Sequence, residues 1–284
     1  MHRKIPHIGD YHPGMPSFRD QYRYTNSDIV VLAYDRMFAF DEPKYITGGI
    51  ATQFYIPPDA RRGSSDLDIS FACRLNWANF QGLRCQYFCS DNHVSIIPGC
   101  IVNTAKKNHS FVMHVCNCRI DSEDLFFFNI DMPRHSAGYH ARMAGSFERE
   151  YENAHEYDNG SVVLKILDPA DIIARKIWRI RNYHNEGVKI HAQPDLSEHL
   201  DKIWRQREVY TMQRLSGSNF GSNLARTELR FLCDLYDIRT LFAHADVDME
   251  YLGQAMDEAQ ARGAKREMLE KLMKRLSPEA RQKL

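Results

Sequence analysis

The chain has no excess of charge of either sign: 37 Lys and Arg stand against 37 Asp and Glu, for a formal net charge of zero. No global field therefore draws in a polyanionic partner, and any basic surface has to be local. It also has no apolar run of about 18 residues, so no membrane span is expected. No leader-like segment opens it, and a cytoplasmic protein is the expectation. The seven cysteines (Cys73, Cys85, Cys89, Cys100, Cys116, Cys118 and Cys233) lack the spacing of a disulfide framework or of a paired CxxC zinc site. His114, Cys116 and Cys118 alternate at strand spacing. That places them either as soft ligands on one face or as reduced thiols and a polar residue in an ordinary strand. Internal repeats and low-complexity tracts are missing too, so no repeat architecture is expected.

What is present describes a globular protein: 284 residues, 43% hydrophobic and 26% charged, enough for one large core or two smaller ones. Residues 1–24 are rich in His, Pro, Gly and Arg and read as an irregular N-terminal arm. Asn26, Ser27 and Asp28 offer caps for a helix running to about Phe40. A second helical pattern spans residues 76–90, interrupted at Gly82. Three β-rich runs follow, His93 to Ile97, Ser110 to Cys118 and Asp124 to Asp131, with turn residues at Pro98-Gly99, Lys106 to Asn108 and Asp121 to Glu123. From about Ser161 onward the period is helical. The expected organisation is α+β: a mixed domain over 25–160 and a helical domain over 161–284.

One stretch concentrates the chemistry. Tyr45, Ile46 and Thr47 are extended in pattern, Gly48-Gly49 turns, and Ile50 to Tyr55 is helix-compatible. A glycine pair at a strand-to-helix turn permits positive φ and close backbone approach. The N–H groups opening the helix then suit a phosphate. After a loop with Pro57-Pro58 comes Arg62-x-Ser64-x-Asp66-x-Asp68. If residues 66–73 form a strand, Asp66 and Asp68 share a face, and two adjacent carboxylates call for a cation. A hard ion with oxygen ligands, Mg²⁺, fits such a pair.

The ordered set of Gly-Gly, short helix and Arg-x-Ser-x-Asp-Leu-Asp resembles the signature of nucleotidyltransferases of the DNA polymerase β superfamily. In its Arg-x-Ser/Thr-x-Asp-Ile/Leu-Asp form it is most similar to the AbiEii/AbiGii toxin family. The resemblance implies a polymerase-β-like nucleotidyltransferase domain, a mixed β-sheet flanked by helices, followed by a C-terminal helical domain. It implies transfer of a nucleoside monophosphate from an NTP, with pyrophosphate released and Mg²⁺ (or Mn²⁺) as the metal. Asp66, Asp68 and Asp131 would be the metal ligands, with Asp121 and Asp124 as alternatives to Asp131. Gly48, Gly49, Arg62, Ser64 and Ser65 would hold the nucleotide.

The resemblance also covers Ile173-Ala174-Arg175-Lys176-Ile177, where Lys176 would meet a phosphate. It continues in Arg230-Phe231-Leu232-Cys233-Asp234-Leu235-Tyr236-Asp237-Ile238, where Asp237 would orient Lys176 or the acceptor. A helix over about 197–214 and a loop over 216–222 read as an insertion between these two motifs. Implied acceptors are an RNA end, such as that of tRNA, or a protein, and an implied partner is a cognate antitoxin. Two other readings stay open: a nucleotide- or RNA-binding protein without turnover, and transfer to a small hydroxylated molecule. Arg175, Arg179, Arg181, Lys189, Lys202, Arg205, Arg207 and Arg214, interleaved with Trp178, Tyr183 and Trp204, suit an RNA groove. Acidic residues mixed among them suit an ordinary solvated face equally.

Overall fold

Tyr45 and Ile46 are consecutive and both buried, the mark of a strand covered on its two faces. They sit in β1 (Lys44–Thr47) of a computed structural model that describes residues 43–64, 68–71, 94–106, 110–120, 123–133, 146–158, 163–185, 195–215 and 219–261. The described chain forms two units. Residues 43–51 and 63–168 belong to the first, residues 52–62 and 169–261 to the second.

In the first unit β1 runs directly into the helix α1 (Gly48–Tyr55), whose later residues pass into the second unit. A four-stranded sheet is built around β1 in the order β2-β1-β7-β6, with β2 spanning Asp68–Phe71, β6 His155–Asp158 and β7 Val163–Ile166. β2 pairs antiparallel with β1, setting Thr47 opposite Asp68 and Ile46 opposite Ile69. β7 runs parallel to β1, and the Leu167 N–H donates to the Ile46 carbonyl at 2.9 Å. Leu164 and Ile166 of β7 point inward by strict alternation, whereas every residue of the edge strand β6 is exposed.

A separate three-stranded antiparallel sheet holds β3 (Val94–Lys106), β4 (Ser110–Ile120) and β5 (Glu123–Pro133) in sequence order. β5 packs against β2. A helix over residues 146–153, here α2, covers β1: Phe147 stacks on Tyr45 at 5.1 Å, and the Tyr45 hydroxyl donates to Glu150 Oε2 at 2.5 Å.

The second unit consists of α3 (Pro169–Asn185), α4 (Leu196–Leu215), α5 (Asn219–His244) and α6 (Met249–Ala261), with the segment 52–62. Pro169 opens α3 at the position where a missing N–H costs nothing. Asp195 caps α4 by accepting from the Glu198 N–H at 2.6 Å, and Asp248 caps α6 by accepting from Glu250 and Tyr251 at 2.9 Å each. α5 is buried continuously from Phe231 to Ile238 because α3 and α4 both pack on it. Ile173, Ile177 and Ile180 of α3 supply the stripe that the period predicts.

Several expectations are corrected. The mixed sheet is accompanied by a second, purely antiparallel one rather than standing alone. Pro98-Gly99 ends no strand; the register between β3 and β4 shifts between Ile96 and Ile101, and the strand continues past it. A strand, β7, lies at 163–166, inside the stretch assigned to helices. α5 already begins at Asn219, within the expected 216–222 loop. The helix expected over 197–214 is present as α4 (Leu196–Leu215), with His199, Leu200, Ile203 and Trp204 buried. The helices expected over 26–40 and 76–90 lie outside the described residues.

Candidate active site

The turn between β1 and α1 has the backbone that the glycine pair foretells. Gly48 has φ 74°, a left-handed conformation that other residues adopt only with strain. The antiparallel register places Asp68 opposite Thr47, immediately beside this turn. Its carboxylate lies so close that a Cβ on Gly48 would collide with Oδ2. The opening turn of α1 and one acidic side chain are thus brought together by a residue with no side chain of its own. Gly49 and Ser64 are buried near the two ends of the connection. Gly63, at φ 71°, makes a second left-handed turn just before Ser64.

The other expected members of this site are only partly placed. Ser65 and Asp66 lie outside the described residues. Asp131 pairs with Val112 inside β5, two residues before that strand ends, and β5 is the strand that packs on β2. The Asp131 side chain, like those of Asp124 and of His114, Cys116 and Cys118, lies outside the described set, as does Asp121 altogether. Among the described residues, no group of three or more His, Cys, Asp or Glu side chains is placed to hold a metal ion. Asp68 is the one expected ligand whose side chain is described.

Within the second unit the structure assembles a buried charge cluster. Asp234 and Asp237 are three apart on α5, and Lys176 and Arg179 are three apart on α3, so each pair shares a helix face. The two faces meet. Lys176 Nζ donates to Asp237 Oδ2 at 2.6 Å and to Asp234 Oδ1 at 3.2 Å, and Arg179 Nη2 donates to Asp234 Oδ1 at 2.7 Å. Arg62 completes the cluster with a two-pronged grip on Asp237, Nε to Oδ1 at 2.6 Å and Nη2 to Oδ2 at 2.7 Å.

Lys176 is 1% exposed and Asp237 0%. Burial alone would raise the Asp237 pKa, but the Arg62 and Lys176 cations and their hydrogen bonds overcome it and hold the group below its usual value. Burial is likewise the largest single influence and works to lower the Arg62 pKa, but the Asp237 charge and hydrogen bond, joined by the Asp234 charge and other neighbours, together raise it above the usual value. A carboxylate gripped by two buried cations is costly to remove, because both cations lose their compensation.

Of the expected nucleotide-site residues, then, Gly48 and Asp68 come together in the first unit, and Lys176, Asp237 and Arg62 come together in the second. Sequence reasoning put Arg62 at a phosphate and did not foresee its pairing with Asp237. The matched i, i+3 spacings on two helices were the available signal. Arg179 as a cluster member and the buried Tyr45–Glu150 pair were missed as well; an apolar tyrosine-bearing strand gives no hint of a carboxylate a hundred residues on. On α4, Trp204 and Arg207 are buried and face one another at 5.0 Å, so they form no exposed stacking platform.

No family model matches the chain, and no curated protein sequence matches it. Among solved structures, it is similar to an antigenic nucleotidyltransferase-like protein from Paracoccidioides brasiliensis. The TM-score is 0.35 and the identity 14%, over 86% of this chain and 95% of that one. A likeness of that degree carries no activity across.

Proposed function

We propose that the protein is a nucleotidyltransferase that moves a nucleoside monophosphate from an NTP to an acceptor. The observation that carries this reading is the Asp68 carboxylate set against Gly48 at the opening of α1. Helix N–H groups suit the anionic end of a triphosphate, and a carboxylate beside them suits its counter-cation. The Arg-x-Ser-x-Asp-Leu-Asp run that contains Asp68 supplies the second support. Gly48, Gly49, Ser64 and Ser65 would then hold phosphate oxygens, and Asp66, Asp68 and Asp131 would hold Mg²⁺ (or Mn²⁺). When bound, the metal supplies charge neutralisation and orientation for phosphoryl-type transfer.

In the transfer, an acceptor oxygen forms a bond to the α-phosphorus while the bond to the bridging oxygen breaks. Pyrophosphate leaves with that electron pair, and the acceptor proton passes to solvent. The chain's own part is to hold the triphosphate in line and to shield the site. Lys176 is not assigned to the triphosphate here, since its ammonium is buried and already donates to two carboxylates. The family resemblance extends the proposal to the acceptor, an RNA end such as that of tRNA or a protein, and to a cognate antitoxin as partner. Among the described residues no helix is long and apolar enough to cross a membrane.

The test is incubation of the full-length protein with each α-labelled NTP, Mg²⁺ and total RNA or protein. Wild type should label one of these fractions, and Asp68→Asn should lower the rate by two to three decades, the usual effect of losing one preorganised charge contact. Equal labelling by Asp68→Asn would sink the assignment. Tight NTP binding without pyrophosphate release would instead favour a binding protein, and label in the small-molecule fraction a different acceptor class.

A further inference from the structure

Two consecutive residues of α5 hold the chain that leads from α1 to β2. The Tyr236 hydroxyl donates to the Ala60 carbonyl at 2.7 Å, and Asp237 takes two nitrogens of the Arg62 guanidinium. All four residues belong to the second unit. Each holder is itself held. The His199 and Tyr236 rings meet edge to face, with centroids 5.3 Å apart and planes at 85°, and Lys176 donates to Asp237 from the side of α3. The held segment is stiffened internally as well, with the Ala60 and Arg61 N–H groups donating to the Pro57 and Pro58 carbonyls and Arg61 Nε donating to the Ile56 carbonyl.

An arginine that serves a triphosphate presents its two-pronged face to the phosphate oxygens. In Arg62, Nε and Nη2 are engaged with Asp237 instead. The next residue is Gly63 in its left-handed turn, and Ser64 follows. One residue therefore separates Arg62 from Ser64 along the chain.

We infer that Tyr236 and Asp237 are positioning residues, a clamp on Ala60 and Arg62 that sets the start of the segment carrying Ser64 and Asp68. The effect on rate rests on the nucleotidyl-transfer reading; the clamp itself does not. It acts on catalysis through placement, with Arg62 Nε and Nη2 given to Asp237.

The test uses full-length Arg62→Lys, Asp237→Asn, their combination and Tyr236→Phe, with the exposed Gln254→Ala as a control. The first readout is amide hydrogen exchange of residues 60–64 without nucleotide. The second is initial rate against NTP concentration. Arg62→Lys and Asp237→Asn should each speed exchange about tenfold, as for loss of a charge-assisted hydrogen bond. Tyr236→Phe should speed it roughly threefold at Ala60 and Arg61. The double variant should match the worse single within about twofold, because both changes remove one interaction. The kcat should fall with the exchange effect while the KM for NTP stays put.

Unchanged exchange in the single variants, fully multiplying effects in the double, or a rise in KM with kcat intact would overturn the clamp. If wild type transfers no nucleotide, the functional reading fails and the exchange arm alone decides the clamp. If Asp237→Asn does not fold, Arg62→Lys and Tyr236→Phe carry the same comparison.

Discussion

At Gly48 the backbone and the neighbouring carboxylate both refuse a side chain. A left-handed φ costs an L-residue roughly 1–2 kcal/mol, and the added methyl would also collide with Asp68. Gly48→Ala should therefore lose about 2–4 kcal/mol in urea unfolding and displace one of the carboxylates on which the proposed activity depends. Gly253 is the internal contrast. It sits exposed in α6, and a Cβ there meets no other atom. Gly253→Ala should gain up to about 1 kcal/mol; a gain at both positions would refute the account of Gly48.

His199 makes a different residue-scale prediction. Burial is the main cause that lowers its pKa from 6.5 to about 4, and the Arg239 and Lys202 cations act in the same direction. Asp237 and the hydrogen bond to the Leu232 carbonyl oppose them weakly. The unfolded chain therefore takes up this proton first as pH falls. The stability held by neutral His199 is complete above about 6.5 and drains away toward 4, by about 1.4 kcal/mol per pH unit at most. His199→Gln cannot take up that proton. The stability gap between wild type and variant, followed from pH 7 to 4.5, should narrow by roughly 2.5 kcal/mol. A gap that does not move with pH would assign the acid sensitivity elsewhere.

Among the elements, β1 carries a buried polar contact of its own. Its Tyr45 hydroxyl is a partner of Glu150, which is 2% exposed. Tyr45→Phe keeps the stacking on Phe147 and removes the donor, so it should cost about 1–3 kcal/mol. Adding Glu150→Gln to it should recover part of that loss, since a neutral amide tolerates burial better than a carboxylate. No recovery would mean that the cost lies in packing.

The same strand shows what the amino-acid order makes legible. β1 and α1 could be read because Gly-Gly punctuates an apolar run, and the β4 and β5 runs because their β-branched and aromatic residues are dense. β7 could not. Four residues, Val-Leu-Lys-Ile, hold too little period to distinguish a strand from the approach to a helix. Its pairing with β1 joins positions more than a hundred residues apart. β3 misled for the opposite reason: Pro98-Gly99 is strong turn chemistry that falls at a shift of register within a continuing strand.

On the scale of the whole molecule, chain order and folding units do not coincide. Residues 52–62 lie far upstream of α3 to α6 yet belong with them, joined by the Arg62–Asp237 pair across 175 residues. The i, i+3 spacing of Lys176 with Arg179 and of Asp234 with Asp237 is visible in the sequence. Which cation meets which carboxylate is not, because that depends on how α3 and α5 pack. A linear division at 160/161 for the same reason does not register the upstream segment.

Cooperative opening should follow the units rather than the sequence. The Ala60 and Arg61 amides are hydrogen-bonded within the held segment, at 3.0 and 3.3 Å. In native-state hydrogen exchange under rising denaturant, they should lose protection together with α5 amides between Cys233 and Leu241. The amides of Tyr45, Ile46 and Ile69, in the β1–β2 ladder only a short way along the chain, should follow a separate isotherm. Arg62→Lys should lower the first isotherm and leave the second where it was, because the Arg62–Asp237 pair lies wholly within one unit. Were Ala60 and Arg61 to open with β1 instead, segment 52–62 would belong energetically to the sheet. The charge cluster would then be a contact of convenience rather than part of what holds the helical unit together.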